Sequence, residues 1–167
     1  MNNRTLFIVL VALIGVFILS KVLKGDKSRS FDPLIVEVDT SAVERIEITR
    51  KAVPDKTVTL SKGAVGWSVS DDSITVHAPA KNVTPTLEAL SRIEAERVVA
   101  RSQDKWAEYE VGEGASRIVA YSRGKRVADL VIGGFKFDQA RRSASTYVRK
   151  SDEDEVYLVE GVLAMQL

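Results

Sequence analysis

The stretch "RIVAYSRGKRVADLVIGG", residues 117–134, contains two short apolar runs separated by a turn. Its two apolar runs flank Arg123-Gly124-Lys125, and two such runs around a short glycine-containing turn predict a β-hairpin. A second hairpin is predicted over "STYVRKSDEDEVYLVEG", residues 145–161, with its turn in the acidic run 151–155. The carboxyl-terminal half of the chain therefore indicates antiparallel sheet.

Short alternating runs continue this pattern toward the amino terminus. "VERIEITR" (residues 43–50), "KTVTLSK" (56–62) and "GWSVS" (66–70) place apolar residues on one face and polar residues on the other. This two-residue period predicts a three-stranded antiparallel meander. "SITVHAP" (73–79) predicts a further short strand or an extended lead-in, which Pro79 ends.

One helix is predicted over "NVTPTLEALSRIEAERV", residues 82–98. Thr84 fits the N-cap, and Pro85 fits the first helical position, where its missing N–H costs nothing. An apolar stripe is formed by Leu87, Leu90 and Ile93. The stripe is too short to be stable alone, so we expect the helix to lie across the sheet. The order of strands, helix and strands predicts an α+β domain, a mainly antiparallel sheet built from hairpins with one principal helix packed on it.

An apolar segment precedes this domain. Leu6–Leu19 contains no charged or strongly polar residue, and a helix over Thr5–Leu23 would span about 28 Å, close to the hydrocarbon core of a bilayer. The sequence after it offers no good signal-peptide cleavage site, and the run has no polar face of the kind a core helix shows. We therefore predict a single transmembrane helix with a short tail in residues 1–24, which contacts the lipid bilayer through Leu6–Leu23. The next segments are a linker in 25–34 and the α+β domain in 35–167.

The charges are unevenly distributed along the chain. Residues 1–30 carry five basic residues and one acidic residue, whereas residues 31–167 carry 19 basic and 22 acidic residues. This mildly acidic domain argues against nucleic acid as a partner, because such binding needs a basic face. The topology stays open: four basic residues after the apolar run favour a cytoplasmic domain, whereas Arg4 directly before it is typical of a signal-anchor that exports the domain attached to it.

The residue types limit the chemistry. The chain has no cysteine, which excludes a disulfide framework, a thiolate nucleophile and a Cys-based zinc site. His77 is the only histidine, and a surface or strand-edge position explains it most simply. The carboxylates of Asp71-Asp72 and of residues 151–155 fall where turns are expected and are interpreted as solvated turn residues. We predict no catalytic residue, no cofactor and no metal site.

The stretch "VIGGFKFDQARRSASTYVR", residues 131–149, raises the question of a phosphate site. Gly133-Gly134 follows a strand, but another strand comes next where a phosphate loop would open onto a helix N-terminus. A long connection between neighbouring strands, with exposed cations, is predicted instead. The candidate contacts for a partner or an anion are Lys136, Arg141 and Arg142.

Four stretches carry a family resemblance: "TPTLEALSRIEAERVVA", "WAEYEV", "RIVAYSRGKRVADLVIGG" and "STYVRKSDEDEVYLVEG". In this order they resemble the domain of unknown function 4340 family over roughly residues 35–167. The resemblance implies a membrane-anchored, extracytoplasmic protein encoded beside ABC-transporter components of the gliding-motility auxiliary type, and it supplies no catalytic residues. Many members are longer and carry more than one such unit.

Three functions remain open at this point. The first is a non-enzymatic, single-pass anchored accessory subunit of an ABC-transporter-type complex, with its domain outside the cytoplasmic membrane, in the periplasm. The second is a binding module for an anionic cell-envelope ligand, a lipid headgroup or a glycan, contacted by Lys136, Arg141 and Arg142. The third is a hydrolase that uses Asp71, Asp72 or His77.

Overall fold

The structure is a computed structural model that describes residues 31–71, 73–140 and 142–163. Its ten strands form one sheet in which every neighbouring pair is antiparallel. The strands are β1 (Leu34–Glu37), β2 (Val43–Arg50), β3 (Val53–Gly63), β4 (Gly66–Ser70), β5 (Thr75–Ala78), β6 (Arg92–Ala100), β7 (Ser116–Ser122), β8 (Lys125–Asp138), β9 (Ser143–Lys150) and β10 (Val156–Glu160). Their order across the sheet is β1-β6-β10-β9-β8-β7-β2-β3-β4-β5.

The α+β class expected from the sequence is wrong, because the described chain is mostly one antiparallel sheet with a single short α-helix. Helix α1 (Ala80–Ser91) is the only α-helix within the described ranges, and residues 92–98 of the predicted helix belong to β6 instead. In β6, Ile93 and Ala95 are buried whereas Glu94 and Glu96 are exposed. That two-residue period suits a strand and not a helix.

The transmembrane helix predicted over Thr5–Leu23 lies outside the described residues. Within the ranges that the structure describes, no helix is long and apolar enough to cross a membrane.

Helix α1 also begins earlier than the sequence pattern indicated. Its N-cap is Pro79 rather than Thr84, and the Thr84 hydroxyl donates a 2.9 Å hydrogen bond to the carbonyl of Ala80 one turn before it. Pro85 lies inside the helix and not at its first position. The predicted apolar stripe is confirmed at Leu90, which is buried together with Val83 and Thr86.

The predicted strand pattern is otherwise confirmed. The three-stranded meander is β2, β3 and β4, and "SITVHAP" contains β5. The β7–β8 turn has positive φ at both Arg123 (50°) and Gly124 (71°), the combination that a tight hairpin turn of type I′ requires. The long connection predicted after Gly134 is wrong, because β8 continues to Asp138 and only four residues separate it from β9.

Short connections force the sheet to curl. Strands β1 and β2 are six places apart in the sheet, which would be about 29 Å in a flat sheet. The link from Glu37 to Val43 has only six residue steps and reaches about 20 Å at most. Likewise α1, about 18 Å long, joins β5 at one end of the order to β6 beside the other end. The two ends of the sheet therefore curve toward each other, and α1 contacts β1 and β6 on one side and β4 on the other.

The curled sheet has two apolar faces of different size. The inner face, which faces α1, buries the main core around Ile46, Ile118, Leu130 and Val148. On the outer face, Ala100, Val131 and Val156 form a smaller cluster with Val111. Val111 belongs to residues 101–115, which cover this face and which we call the cover segment. Each aliphatic side chain that is fully buried in these clusters stabilises the fold by about 1.5–3 kcal/mol.

Candidate functional site

Gly133 and Gly134 are a packing point for the cover segment and not a phosphate cradle. The pairing of β8 with β9 shifts register between Ile132 and Phe135, which marks a bulge at the glycine pair. The Gly134 N–H donates a 3.1 Å hydrogen bond to the carbonyl of Tyr109 in the cover segment. A Cβ at Gly133 would lie 2.2 Å from that same carbonyl oxygen. Only a glycine lets the cover segment approach β8 this closely.

Beyond the bulge, β8 and β9 form a two-stranded projection that we call the ribbon, residues 135–146. The pairing of β7 with β8 ends at Ile132, so residues 135–138 of β8 pair with β9 alone. Phe135 and Phe137 are 65% and 56% exposed. Phe135 pairs with Thr146, so both rings lie on the same side of the sheet as the inner core. Adjacent exposed phenylalanines at a projecting edge are typical of an interaction surface.

The opposite side of the ribbon carries the cation predicted at Lys136. Its side chain lies at a cavity of about 170 Å³ whose other charged lining residues are Arg97, Glu96 and Asp138. The hydroxyl of Ser145 donates to Glu96 Oε1 at 3.2 Å. Arg97 is not recognisable as a site residue in the sequence, because only the antiparallel order β6-β10-β9-β8 brings β6 near the ribbon. Two carboxylates balance the two cations, so the cavity has no excess of positive charge.

The other two predicted contacts are placed differently. Arg142 is exposed in the turn between β8 and β9, with φ of +51°, and it does not line this cavity. Arg141 lies outside the described residues. The structure therefore brings Lys136 together with Arg97 and not with Arg142.

The base of the ribbon is fixed by a buried arginine. Arg149 is 7% exposed, and its guanidinium carbon lies 3.8 Å from the ring centre of Trp106 in the cover segment. It donates hydrogen bonds of 3.0–3.3 Å to four backbone carbonyls, those of Val111, Lys150, Ser151 and Glu153. Burial lowers the pKa of Arg149 from its ordinary value, and nearby Asp154 opposes that effect. The arginine thus ties the cover segment to the β9–β10 turn.

A tyrosine pair and an indole strengthen the same junction. The Trp106 indole N–H donates to the carbonyl of Asp154 at 3.0 Å. The rings of Tyr109 and Tyr147 pack with centres 4.8 Å apart. Burial raises the pKa of Tyr109, and Glu108 adds to the effect. These contacts hold the cover segment on β8 and β9 directly below the ribbon.

Of the residues considered for a hydrolase, the structure describes His77 and Asp71 and places them apart along the β4–β5 hairpin. His77 is exposed on β5, at the end of the sheet. The Asp71 carboxylate accepts hydrogen bonds from the N–H groups of Ser73 (3.0 Å) and Ile74 (2.9 Å), which lowers the pKa of Asp71. That arrangement is a turn, as predicted. Asp72 lies outside the described residues.

The acidic run 151–155 is engaged in local pairing. Glu153 accepts from Lys150 at 3.0 Å, and Glu155 pairs with Arg101. The Tyr157 hydroxyl lies 2.7 Å from Glu153 and 2.9 Å from Glu155. Burial and these two carboxylates raise the pKa of Tyr157. In the described ranges, no group of three or more histidine, aspartate or glutamate side chains is arranged to hold a metal ion.

Residues 69–167 match the family described as Domain of unknown function (DUF4340). The chain belongs to this family. The match starts within β4 and runs through α1, the cover segment and the ribbon, so it is shorter than the range 35–167 that the sequence resemblance suggested. No curated protein and no solved structure matches the chain. The description of the domain of unknown function 4340 family assigns no activity.

Proposed function

We propose that this chain is a non-enzymatic accessory subunit of an ABC-transporter-type membrane complex. Its amino-terminal segment serves as a single-pass anchor, its domain lies on the extracytoplasmic side, and the ribbon contacts a membrane-protein partner. The family resemblance motivates the type of complex, and the apolar segment Leu6–Leu23 motivates the anchor. The observation that carries the proposal is the exposure of Phe135 and Phe137 on the ribbon.

The phenylalanine side of the ribbon suits a protein partner. Covering both rings would contribute roughly 2–4 kcal/mol, since full burial of one such side chain is worth about 1.5–3 kcal/mol and each ring is already partly covered. Among the described residues, strand β7 does not extend beside residues 135–137, which leaves that edge of β8 for hydrogen bonds to a partner strand. Lys136, between the two rings in sequence, faces the other side and adds no charge to the apolar contact.

The test is affinity purification of the full-length chain from native membranes. The double variant Phe135→Ser/Phe137→Ser should reduce recovery of an ABC-type membrane subunit by about tenfold or more, because a loss of about 1.4 kcal/mol is tenfold in affinity. The control Val53→Ser/Val65→Ser removes two exposed apolar side chains elsewhere and should leave recovery unchanged. Wild-type recovery of no such subunit would contradict the complex. Equal recovery by both double variants would contradict the role of the ribbon.

The side of the membrane on which the domain lies is measured in a separate experiment. A reporter active only outside the cytoplasm, fused after Leu167, should be active in intact cells. An inactive reporter with normal expression would place the domain on the cytoplasmic side and overturn this part of the proposal.

The alternative function, binding an anionic cell-envelope ligand, draws on Lys136 and Arg97 at the outer-side cavity. Because the rings and the cation lie on opposite sides of the ribbon, the two functions can be separated. If the alternative holds, Lys136→Ala/Arg97→Ala should weaken the binding of glycerol phosphate or a sulfated glycan, and the salt dependence of that binding should be lost. Partner recovery should then survive this variant. Unaltered binding and salt dependence would remove the alternative.

A further inference from the structure

We infer that β5 is a self-pairing edge, through which two copies of this chain associate as antiparallel strands with Val76 on the two-fold axis. The two ends of the sheet differ in protection. At the β1 end, Ile35 and Val36 are both buried and α1 packs alongside. At the β5 end, Thr75, Val76 and His77 are exposed, and the sheet order gives β5 no second neighbour among the described residues.

Strand β5 lacks the features that usually prevent edge pairing. "TVHA" contains no lysine, arginine or proline, and its register with β4 runs from Trp67↔Ala78 to Ser70↔Thr75 without a bulge. Proteins commonly protect exposed edges with such charges, prolines or bulges. The strand therefore offers an unprotected backbone to a partner strand.

The direction of the backbone groups fixes which residues would pair. The Asp71 N–H donates to the carbonyl of Ile74 at 3.1 Å, so the Ile74 backbone faces β4. Hydrogen-bonding groups alternate in direction along an antiparallel strand, so Val76 also faces β4 and Thr75 and His77 point to the free edge. The edge thus presents two N–H groups and two carbonyls.

These four groups are self-complementary in one register. If Thr75 of one copy lies opposite His77 of the other, both hydrogen-bonded pairs form and Val76 lies opposite its own copy. This is an isologous contact, as a two-fold dimer requires. No gap or bulge is needed, and each copy satisfies the other's edge groups.

The side chains support the same register. Val76 pairs with Val69 of β4 on the inner side of the sheet, and it is 51% exposed. Ile74, on the same side of the strand, is 64% exposed. In the proposed register Val76 packs on its copy, and Ile74 packs near Ala78 of the other copy. The inner apolar face would then continue across the contact.

Charge complementarity favours the antiparallel direction. Asp71 precedes the strand and Lys81 follows it, and both are exposed. Antiparallel pairing brings the acidic end of one copy toward the basic end of the other, whereas parallel pairing would bring like charges together. A strand of four residues makes a small interface, so we expect weak association that depends on protein concentration.

The absence of cysteine from the sequence permits a direct test by single-cysteine cross-linking of the full-length chain. In the proposed register the two copies of residue 76 form a non-hydrogen-bonded pair with Cα atoms about 4.5 Å apart, a distance that a disulfide spans. Val76→Cys should form a disulfide-linked dimer under mild oxidation. Thr75→Cys, whose copies are offset along the strands, should react about tenfold more slowly because the Cα separation exceeds disulfide geometry. Mixing Thr75→Cys with His77→Cys should restore rapid cross-linking.

Two controls make the result decisive. Val65→Cys, on an almost fully exposed turn residue (93%), reports random collision and any association through other parts of the chain. The second control adds Thr75→Pro to Val76→Cys. Proline removes the Thr75 N–H that points to the free edge and leaves the hydrogen bonds to β4 intact, so cross-linking through Cys at position 76 should become about tenfold slower. Cross-linking of Val76→Cys no faster than that of Val65→Cys would overturn the inference, as would equal rates at 75 and 76. The inference does not involve the ribbon, so its outcome is independent of the proposed function.

Discussion

Replacing Gly133 by alanine tests how the cover segment is held on β8. The added Cβ would lie 2.2 Å from the carbonyl oxygen of Tyr109 and 2.6 Å from Cγ1 of Val111. Ordinary contacts of a Cβ begin near 3.4 Å, so the Tyr109 carbonyl must retreat by about 1 Å or more. That carbonyl also accepts the Gly134 N–H at 3.1 Å, and the retreat breaks this bond.

The expected cost follows from these contacts. Overpacking in a dense region costs about 1–3 kcal/mol, and the lost hydrogen bond adds about 1 kcal/mol. We therefore expect Gly133→Ala to lower the free energy of unfolding by about 2–4 kcal/mol, or the Tm by roughly 10 °C for a domain of this size. Gly134→Ala is the matched control. Its Cβ would meet only the flexible carboxylate of Glu110, at 3.3 Å, so we expect a change within about 0.5–1 kcal/mol.

The assay is urea unfolding of a fragment that starts at Phe31, the first residue of the compact unit 31–167. Fluorescence of the two tryptophans, Trp67 in β4 and Trp106 in the cover segment, reports the transition. If the two glycine variants were equally stable, or if Gly133→Ala stayed within about 0.5 kcal/mol of the natural chain, the close approach of Tyr109 to β8 would be refuted.

Three further outcomes are expected from the same fragment. Arg149→Met should lower the free energy of unfolding by about 2–4 kcal/mol, because four backbone carbonyls lose a charged donor. The matched change Arg97→Met, at an exposed arginine, should alter it by less than about 0.5 kcal/mol. Similar losses in the two variants would contradict the role of Arg149 in tying the cover segment to the β9–β10 turn. Thr146→Val should cost about 1–3 kcal/mol, because the fully buried hydroxyl donates to the Gly161 carbonyl (2.6 Å) and accepts from the Leu163 N–H (3.2 Å). Hydrogen bonds from Ser41 lower the pKa of the Asp39 carboxyl group. The ionised carboxylate therefore stabilises the fold at pH values above its ordinary pKa near 3.9, and this stabilisation is lost as the pH falls through the lowered pKa. The stability difference between the natural chain and Asp39→Asn, measured by urea unfolding across acidic pH, should therefore shrink toward low pH, and a difference independent of pH would exclude the carboxylate as its source.

Local sequence patterns predict most of the strands. Where the predicted secondary structure is wrong, the cause is pairing with strands that are distant in the sequence. The β7–β8 hairpin and the β2–β3–β4 meander follow from period and turn residues alone. The sequence predicts a helix through residues 92–98 because Leu87, Leu90 and Ile93 match a helical spacing. In the structure, residues 92–98 instead pair with β1 on one side and with β10 on the other, as part of β6. Such tertiary context overrides the local propensity for a helix.

The same limit applies to the candidate site. The glycine pair 133–134 is conspicuous in the sequence, but what requires a glycine at position 133 is the close approach of the Tyr109 carbonyl. Tyr109 lies 24 residues earlier in the chain, and the contact forms only when the cover segment packs on β8. Lys136 is identified from its residue type, whereas its neighbour Arg97 depends on the strand order. The exposed Phe135 and Phe137 look like core residues in a sequence, because exposure is decided by where β7 ends.

The bulge at the glycine pair decides which side of the ribbon carries the phenylalanines. Ile132 pairs with Val148, and an uninterrupted ladder through the same residues would place residue 135 opposite Ser145 on the outer side. The extra residue shifts Phe135 to Thr146 on the inner side and turns Lys136 outward, since a slip by one residue exchanges the faces of a strand.

Deleting Gly134 should therefore leave the phenylalanines on the inner side, because the deletion removes the bulge and its extra residue together. The ladder would then run regularly from Ile132, with Phe135 still opposite Thr146. The free energy of unfolding should fall by about 1 kcal/mol, since the hydrogen bond from the Gly134 N–H to Tyr109 is lost. Recovery of the membrane partner should stay near that of the natural chain, in contrast to Phe135→Ser/Phe137→Ser.

Disulfide formation within the ribbon reports its register in the shortened chain. In the natural chain Phe137 pairs with Ala144, so Phe137→Cys/Ala144→Cys should form an intramolecular disulfide on mild oxidation, both with and without Gly134. If the cover segment instead imposed a bulge on the shortened chain, Phe135 would take the place of Gly134 and residue 137 would move opposite Ser145. Phe137→Cys/Ser145→Cys would then become the efficient pair, the rings would face outward and partner recovery would fall. That outcome would show that the contact with Tyr109, and not the number of residues in β8, sets the face of the ribbon.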